Sequence, residues 1–168
     1  FAWLRRGRLA MTTPSIVFFG FDMVPKATPK IFLRTLLYST AQRGKMIESM
    51  YVKLRRGETE ELFAFWGYGE TERLTAGGGL YVGHTGISLN HHFVLSVHKS
   101  GYDFGAGDYT IQVYARRAGE KAAALLSEIS VRLNDAHVGI LAKEGGVLFE
   151  LQPDTRTYVG SGRERRDR

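Results

Sequence analysis

The chain has no cysteine among its 168 residues. This absence excludes disulfides, cysteine-ligated zinc, iron–sulfur clusters and thiol catalysis. The G-x-S-x-G pattern of the hydrolase nucleophile turn is also missing, and no apolar run reaches the roughly 18 residues of a complete membrane-spanning helix. Because the chain is long enough for one domain with a real core, we expect packing alone to hold it together.

Excess positive charge is concentrated at the two ends of the chain. The terminal arginines are Arg5, Arg6, Arg8, Arg163, Arg165, Arg166 and Arg168. They are seven of the 23 basic residues, and the same segments hold two of the 17 acidic ones, which leaves 16 basic and 15 acidic residues in the body. A nearly neutral body lacks the basic surface that displaces counterions from nucleic acid. Nucleic acid is therefore not the expected partner, and binding of nucleic acid or anionic lipid through the tails is an alternative.

The first residues allow two interpretations, because the chain begins FAWLRRGRLAM without an initiator methionine. Either residues 1–10 precede a start at Met11, or the chain is a piece of a longer protein. In the second case, FAWL followed by Arg5, Arg6 and Arg8 has the aromatic-then-basic order of a cytoplasmic membrane border. The compartment stays open, with the cytoplasm as the expected location and an anionic membrane surface, contacted by these arginines, as an alternative.

Alternation of apolar and polar residues predicts β-strands through most of the chain. In the segment 107–116, Tyr109, Ile111 and Val113 share one face, while Thr110 and Gln112 share the other. One packed face and one wet face are typical of antiparallel sheets. Such segments recur about every eight to twelve residues, as they do in sandwiches. The pattern predicts an all-β antiparallel sandwich of about seven to nine strands.

The stretch YDFGAGDYTIQVYA (102–115) resembles the E–F corner and F strand of immunoglobulin-like and fibronectin type III-like domains. The residues that match in kind are Phe104, Gly107, Asp108, Tyr109, Ile111 and Val113. The resemblance implies an immunoglobulin-like sandwich in which Tyr109 is the corner tyrosine, with its hydroxyl bonded to nearby backbone. It implies no particular function, because this fold hosts many.

Four segments follow from these patterns. Residues 1–14 are expected to form a basic tail or membrane-proximal segment, and residues 15–134 the sandwich. Residues 135–152 are expected to pack on the sandwich as an extension or to add an edge strand. Residues 153–168 are rich in arginine and are expected to form a disordered tail.

Two adjacent histidines in SLNHHFVLSV (88–97) are the sharpest chemical candidates. Alternate residues of a strand face opposite ways, so His91 is expected on the core face and His92 on the other. His92 and His98 share a face, yet they lie roughly 20 Å apart at about 3.3 Å per residue, too far for zinc–nitrogen bonds of about 2 Å. We expect no metal, catalytic or cofactor site. A metal-binding or hydrolytic site that uses His84 and His92 is the alternative.

Several strands are apolar on both faces, although a two-layer sandwich buries only one face of each sheet. The surplus apolar face must therefore meet residues 138–151, a second copy or a partner. We interpret the chain as a non-catalytic protein-interaction or assembly module, tethered to a membrane or part of a larger protein. Because aromatic residues dominate interface centres, Phe32, Tyr38, Trp66 and Tyr68 are the expected contact residues, with a partner protein or a homo-oligomer as the occupant.

Overall fold

The computed structural model describes residues 7–23, 26–69, 74–96 and 101–165. Within these ranges it contains thirteen strands and one helix. They are β1 (Leu9–Met11), β2 (Ile16–Asp22), β3 (Thr28–Ser39), β4 (Lys45–Arg56), β5 (Thr59–Phe63), β6 (Phe65–Tyr68), β7 (Thr75–Ala76), β8 (Leu80–Val82), β9 (Ile87–Val94), β10 (Gly107–Arg117), β11 (Ala124–Leu133), α1 (Asp135–Ala142), β12 (Gly146–Leu151) and β13 (Tyr158–Arg163).

The strands form two antiparallel sheets. The larger sheet has eight strands in the order β13-β12-β2-β3-β9-β6-β7, with β1 paired to β3. The smaller sheet has five strands in the order β11-β10-β4-β5, with β8 paired to β4. The predicted all-β antiparallel sandwich is confirmed. There are more strands than the seven to nine expected, because β1 and β7 have only three and two residues and because β12 and β13 lie beyond residue 134.

The core lies between the two sheets and is centred on an aromatic cluster. Phe19 of β2 is fully buried. Its ring stacks on Phe104 at 5.2 Å and meets Tyr109 and Phe149 edge-on at 5.4 and 5.5 Å. Edge-to-face and offset geometries at these distances stabilise beyond the area they bury. The cluster therefore ties β2 and β12 of the larger sheet to β10 of the smaller one.

Tyr109 forms the polar corner that the resemblance implied. Its hydroxyl donates to the backbone carbonyl of Gly105 at 2.7 Å and accepts a hydrogen bond from Arg56 Nη1 at 3.3 Å. Burial raises the pKa of Tyr109, so the hydroxyl stays a donor. The constant-type immunoglobulin domain has seven strands, against eight and five in the two sheets here. The corner therefore does not by itself establish the immunoglobulin-like family.

The C-terminal segment is more ordered than its composition suggested. Asn134 caps α1, because its side chain accepts from the His137 amide at 2.8 Å. The helix packs on the core-facing side of β12 and β13, where Ile140 fills the space beside Gly162. The expected disordered tail is wrong for residues 158–163, which form β13. Pairing with β12 and the hydrogen bond from the Tyr158 hydroxyl to the Pro14 carbonyl, 2.6 Å long, hold this strand in place.

Candidate interaction site

A row of rings crosses the outer face of the larger sheet. Phe18 of β2 lies opposite Phe32 of β3, and Phe32 lies opposite His92 of β9. Side chains that lie directly opposite in antiparallel strands share a face. The ring centroids of Phe18 and Phe32 are 6.2 Å apart, and those of Phe32 and His92 are 5.0 Å apart with nearly parallel planes. We call Phe18, Phe32 and His92 the aromatic row.

Glycines set the position of the first ring in the aromatic row. A Cβ atom at either Gly20 or Gly146 would collide with the Phe18 ring. The ring therefore lies over the neighbouring positions Gly20 of β2 and Gly146 of β12. Phe18 and Phe32 are both half-buried in this arrangement, so each keeps part of its ring available at the surface.

Two cationic side chains flank the aromatic row. Lys30 and Arg34 stand two residues before and after Phe32 on β3, and therefore on the same face. Arg34 is exposed and its Nε donates to Asn90 Oδ1 at 3.0 Å. Lys30 is half-buried, and burial lowers its pKa against the opposing effect of nearby Asp22. The face therefore combines apolar rings with Lys30 and Asp22 at one end and Arg34 at the other.

His92 is part of this face and is nevertheless almost closed to water. The residue is 2% exposed, and neither ring nitrogen has a hydrogen-bond partner within the described residues. Burial lowers the pKa of His92 to about 4; the Lys30 charge acts in the same direction and the Asp22 charge opposes it. The ring is neutral at pH 7 and serves the row as an aromatic surface. His92 lies on the face opposite to His91, as expected, and Phe32 stacks on it there.

His91 lies on the core face and has a structural environment. Its Nδ1 accepts a hydrogen bond from Trp66 Nε1 at 3.2 Å, and the two rings are nearly parallel at 6.3 Å. Burial, followed by the neighbouring His92, lowers the pKa of His91 to about 4. The adjacent histidines therefore lie on opposite faces of the sheet and do not converge on a common ion.

The four expected contact residues divide between the two faces of the larger sheet. Trp66 is only 5% exposed and points into the core. Tyr68 packs against the core as well, and its hydroxyl donates to the Gly79 carbonyl at 3.0 Å. Phe32 and Tyr38 occupy outer-face positions of β3, and both are half-buried. Trp66 is therefore a core residue, whereas Tyr68 is half-buried on the core-facing side.

Sequence reasoning missed most members of the actual face. Phe18, Lys30 and Arg34 were not singled out, and neither was Phe65, which is 64% exposed and lies opposite Val94 beside the row. The signal for Phe18 was present, since it alternates with buried Val17 and Phe19. The strand register brings these residues together, and it cannot be read from a single sequence.

The remaining chemical candidates do not assemble into a site. His84 is exposed in the turn before β9, and the five residue steps from Ile87 to His92 alone span roughly 17 Å of strand. Within the described ranges no group of three or more His, Asp or Glu side chains is arranged to hold a metal ion. His98 lies outside the described residues. The alternative site that uses His84 and His92 therefore has no geometric support.

Three of the terminal arginines, Arg8, Arg163 and Arg165, belong to the described surface, and all three are exposed. Arg5, Arg6, Arg166 and Arg168 lie outside the described residues. Arg8 is exposed, and its main-chain amide donates to Thr40 Oγ1 at 2.7 Å. In the part of the chain that the structure describes, no helix is both long and apolar enough to cross a membrane.

Comparisons with known proteins add a distant likeness of fold. No protein-family model matches the chain, and no curated protein matches it. Among solved structures, the chain is similar to the CooA pilin subunit from enterotoxigenic Escherichia coli, with 5% sequence identity and a TM-score of 0.35. The match covers 75% of this chain and 98% of the pilin chain. A likeness at this level carries no argument about function.

Proposed function

We propose that the chain is a non-catalytic protein-interaction module that binds a partner protein through the aromatic row and its cationic flanks. The observation that carries this proposal is an aromatic outer sheet face that the C-terminal extension does not cover. The extension was the main candidate for covering it in cis. Instead, α1 packs on the core-facing side of β12 and β13, which leaves the opposite side to other occupants.

The composition of the face supports binding to a surface that is both apolar and acidic. Aromatic residues and arginine dominate the binding energy at interface centres, and Phe18, Phe32 and Arg34 provide both here. Lys30 and Arg34 lie on either side of the rings. A partner with carboxylates at the same spacing is therefore complementary in charge to these two side chains. Charge complementarity of this kind mainly sets association rate and specificity.

Access favours binding over catalysis on this face. His92 is the one imidazole in the aromatic row, and it is 2% exposed. A general base has to come within hydrogen-bond reach of the proton that it removes. The ring nitrogens of His92 are closed off from such a substrate, whereas the half-buried rings of Phe18 and Phe32 are partly open to contact.

The experiment compares two charge reversals on opposite outer faces. Lys30→Glu with Arg34→Glu alters the flanks of the aromatic row. Lys53→Glu with Arg55→Glu makes the same change of charge on the outer face of the smaller sheet, at positions two residues apart instead of four. Binding to a partner from the native source is expected to fall about tenfold or more in the first variant, because rim charges control association, and to persist in the second. Equal loss in both variants, or loss in neither, contradicts the proposal; thermal unfolding curves check that both fold.

A further inference from the structure

The smaller sheet ends in an edge strand that lacks most of the features by which proteins protect such edges. β11 has ten residues, whereas the other edge strands in the described part of the chain have two to six. β11 contains neither proline nor lysine, and its single irregularity lies near Leu126, which leaves residues 127–133 in regular register. A long regular edge presents backbone N–H and C=O groups to which another strand can pair.

The two next-longest edge strands, β5 and β13, are blunted. β5 carries Glu61 on its core-facing side, opposite buried Leu54, and an inward-pointing charge is a known protection of edges. β13 contains Gly160 and Gly162 within six residues, and glycines weaken a strand. β11 therefore differs from both in offering a strong template.

Space for an added strand runs along β11. A groove of about 660 Å³ is lined on one side by residues 127–132 of β11, and on the other by Thr13 and residues 156–158. At about 3.3 Å per residue, the lining part of β11 is roughly 20 Å long. The groove is thus long enough to admit an extended segment beside the strand.

The sequence of β11 is complementary to itself. When two copies run antiparallel about Ser130, Glu128 of each copy lies opposite Arg132 of the other. Ile129 then lies opposite Val131 on the core-facing side. Opposite charges in directly facing positions stabilise a strand pair, and like charges destabilise it. The present ion pair of Arg132 with Asp108 does not prevent Arg132 from pairing with Glu128 of the other copy. The Arg132–Asp108 pair is 3.4 Å long and both side chains are more than three-quarters exposed. Such surface pairs contribute little.

We propose that two copies of this chain associate by antiparallel pairing of β11 with β11 around a two-fold axis at Ser130, so that the smaller sheets join into one continuous sheet. The contact is isologous, so each Glu128–Arg132 pairing occurs twice. It uses the edge of the smaller sheet and leaves the aromatic row of the larger sheet free. Self-association and partner binding are therefore separate properties, and either one can fail without the other.

A charge-swap series measured by sedimentation equilibrium tests the pairing. Glu128→Arg places arginine opposite Arg132 at two symmetric positions, and Arg132→Glu places two carboxylates opposite each other. Each single variant is expected to weaken dimerisation about tenfold or more, since like charges then face each other twice. The double variant Glu128→Arg with Arg132→Glu restores opposite charges and is expected to return to within about threefold of the wild-type constant.

A matched control lies on the same sheet away from the edge. Glu48 and Arg116 form an ion pair of 3.4 Å between β4 and β10, and Glu48→Arg is expected to leave dimerisation unchanged. Wild-type protein that remains monomeric at about 1 mM, the weak end of specific association, overturns the proposal. Failure of the double variant to recover also overturns it and indicates a different strand as occupant. Amide exchange of the wild type gives a test that does not depend on how the variants fold. If the pairing occurs, protection of residues 127–133 must rise with protein concentration.

Discussion

The outer faces of the two sheets carry aromatic residues in different settings. On the smaller sheet, Tyr51 stacks on Tyr114 at 5.1 Å, and Lys53 Nζ lies 5.3 Å from the Tyr114 ring centroid. Ion pairs such as Arg116–Glu48 surround these rings. On the larger sheet, the aromatic row has neither phenolic hydroxyls nor ion pairs among its members. The same strand alternation thus produced one outer face with tyrosines and ion pairs and another with phenylalanines and a neutral imidazole.

The comparison teaches that aromatic content alone does not identify an interaction surface. Tyr51 and Tyr114 each have a hydroxyl that can bond to water, and the Lys53 ammonium partly covers the Tyr114 ring. Phe18 and Phe32 have no polar atom to satisfy, and their neighbour His92 is held neutral by burial. The predictions below test this difference between the faces, beginning with the largest expected effect.

The largest expected difference in stability is between variants of two neighbouring residues on β6. Trp66→Ala removes a buried indole and leaves His91 Nδ1 without its donor, so the free energy of unfolding is expected to fall by about 3–5 kcal/mol. Phe65→Ala, one residue away on the outer face, is expected to change it by less than about 0.5 kcal/mol, as exposed positions usually do. Urea denaturation measures both. A small effect of Trp66→Ala on the free energy of unfolding would contradict the assignment of this residue to the core.

Acid is expected to destabilise the protein through its two buried histidines. The pKa of His91 and of His92 is about 4 in the folded chain, against about 6.5 in an unfolded one. Between these values the unfolded chain binds more protons, so stability is full above about pH 6.5 and is lost as the pH falls toward 4. The expected loss is roughly 3 kcal/mol for each histidine.

His92→Phe isolates the contribution of the outer face to this pH dependence. The substitution keeps a ring in the aromatic row and removes its titration, so the stability-against-pH curve between pH 6.5 and 4 is expected to flatten relative to wild type. Denaturation at a series of pH values provides the comparison. Parallel curves for the two proteins would show that His92 does not titrate as its burial implies.

Removal of one ring from each outer face is expected to separate binding from stability. Phe32→Ala and Tyr51→Ala each delete a half-buried aromatic side chain, and each is expected to cost about 1–2 kcal/mol of stability for partial burial. Only Phe32→Ala is expected to abolish partner binding, because Tyr51 lies on the solvated face. Calorimetric unfolding together with a binding assay on both variants measures the two effects. Loss of binding with Tyr51→Ala would reverse the assignment of the faces.

The smallest effect is expected from an ion pair on the smaller sheet. Arg116→Ala breaks the pair with Glu48, in which both side chains are well exposed. The expected cost is about 0.2–1 kcal/mol in low salt, and close to nothing in about 1 M salt, where screening acts within roughly 3 Å. Thermal melts at both salt concentrations measure it. A large salt-independent loss would show that this face is held together by more than surface charge.

Much of the fold could be predicted from the local sequence pattern. Alternation of apolar and polar residues with a period of two indicates directly which side chains share a face of a sheet. Tyr109, Ile111 and Val113 were expected on one face of a strand, and all three are buried. The candidate site was predicted less well. Trp66 and Phe65 are adjacent aromatic residues. Strand alternation predicts that their side chains lie on opposite faces of the sheet, but it does not indicate which face packs against the core. That choice depends on register with β9 and on the position of the second sheet.

The amino-acid sequence by itself determined the sheet class, the alternation that sends His91 and His92 to opposite sides, and the corner at Tyr109. These features depend on contacts between residues close in the chain. The tertiary structure alone decided that Phe18, Phe32 and His92 form one row, that residues 158–163 become a strand, and that β11 is left at an edge. Strand order and register join residues far apart in sequence, and those pairings come from the packing of the whole chain.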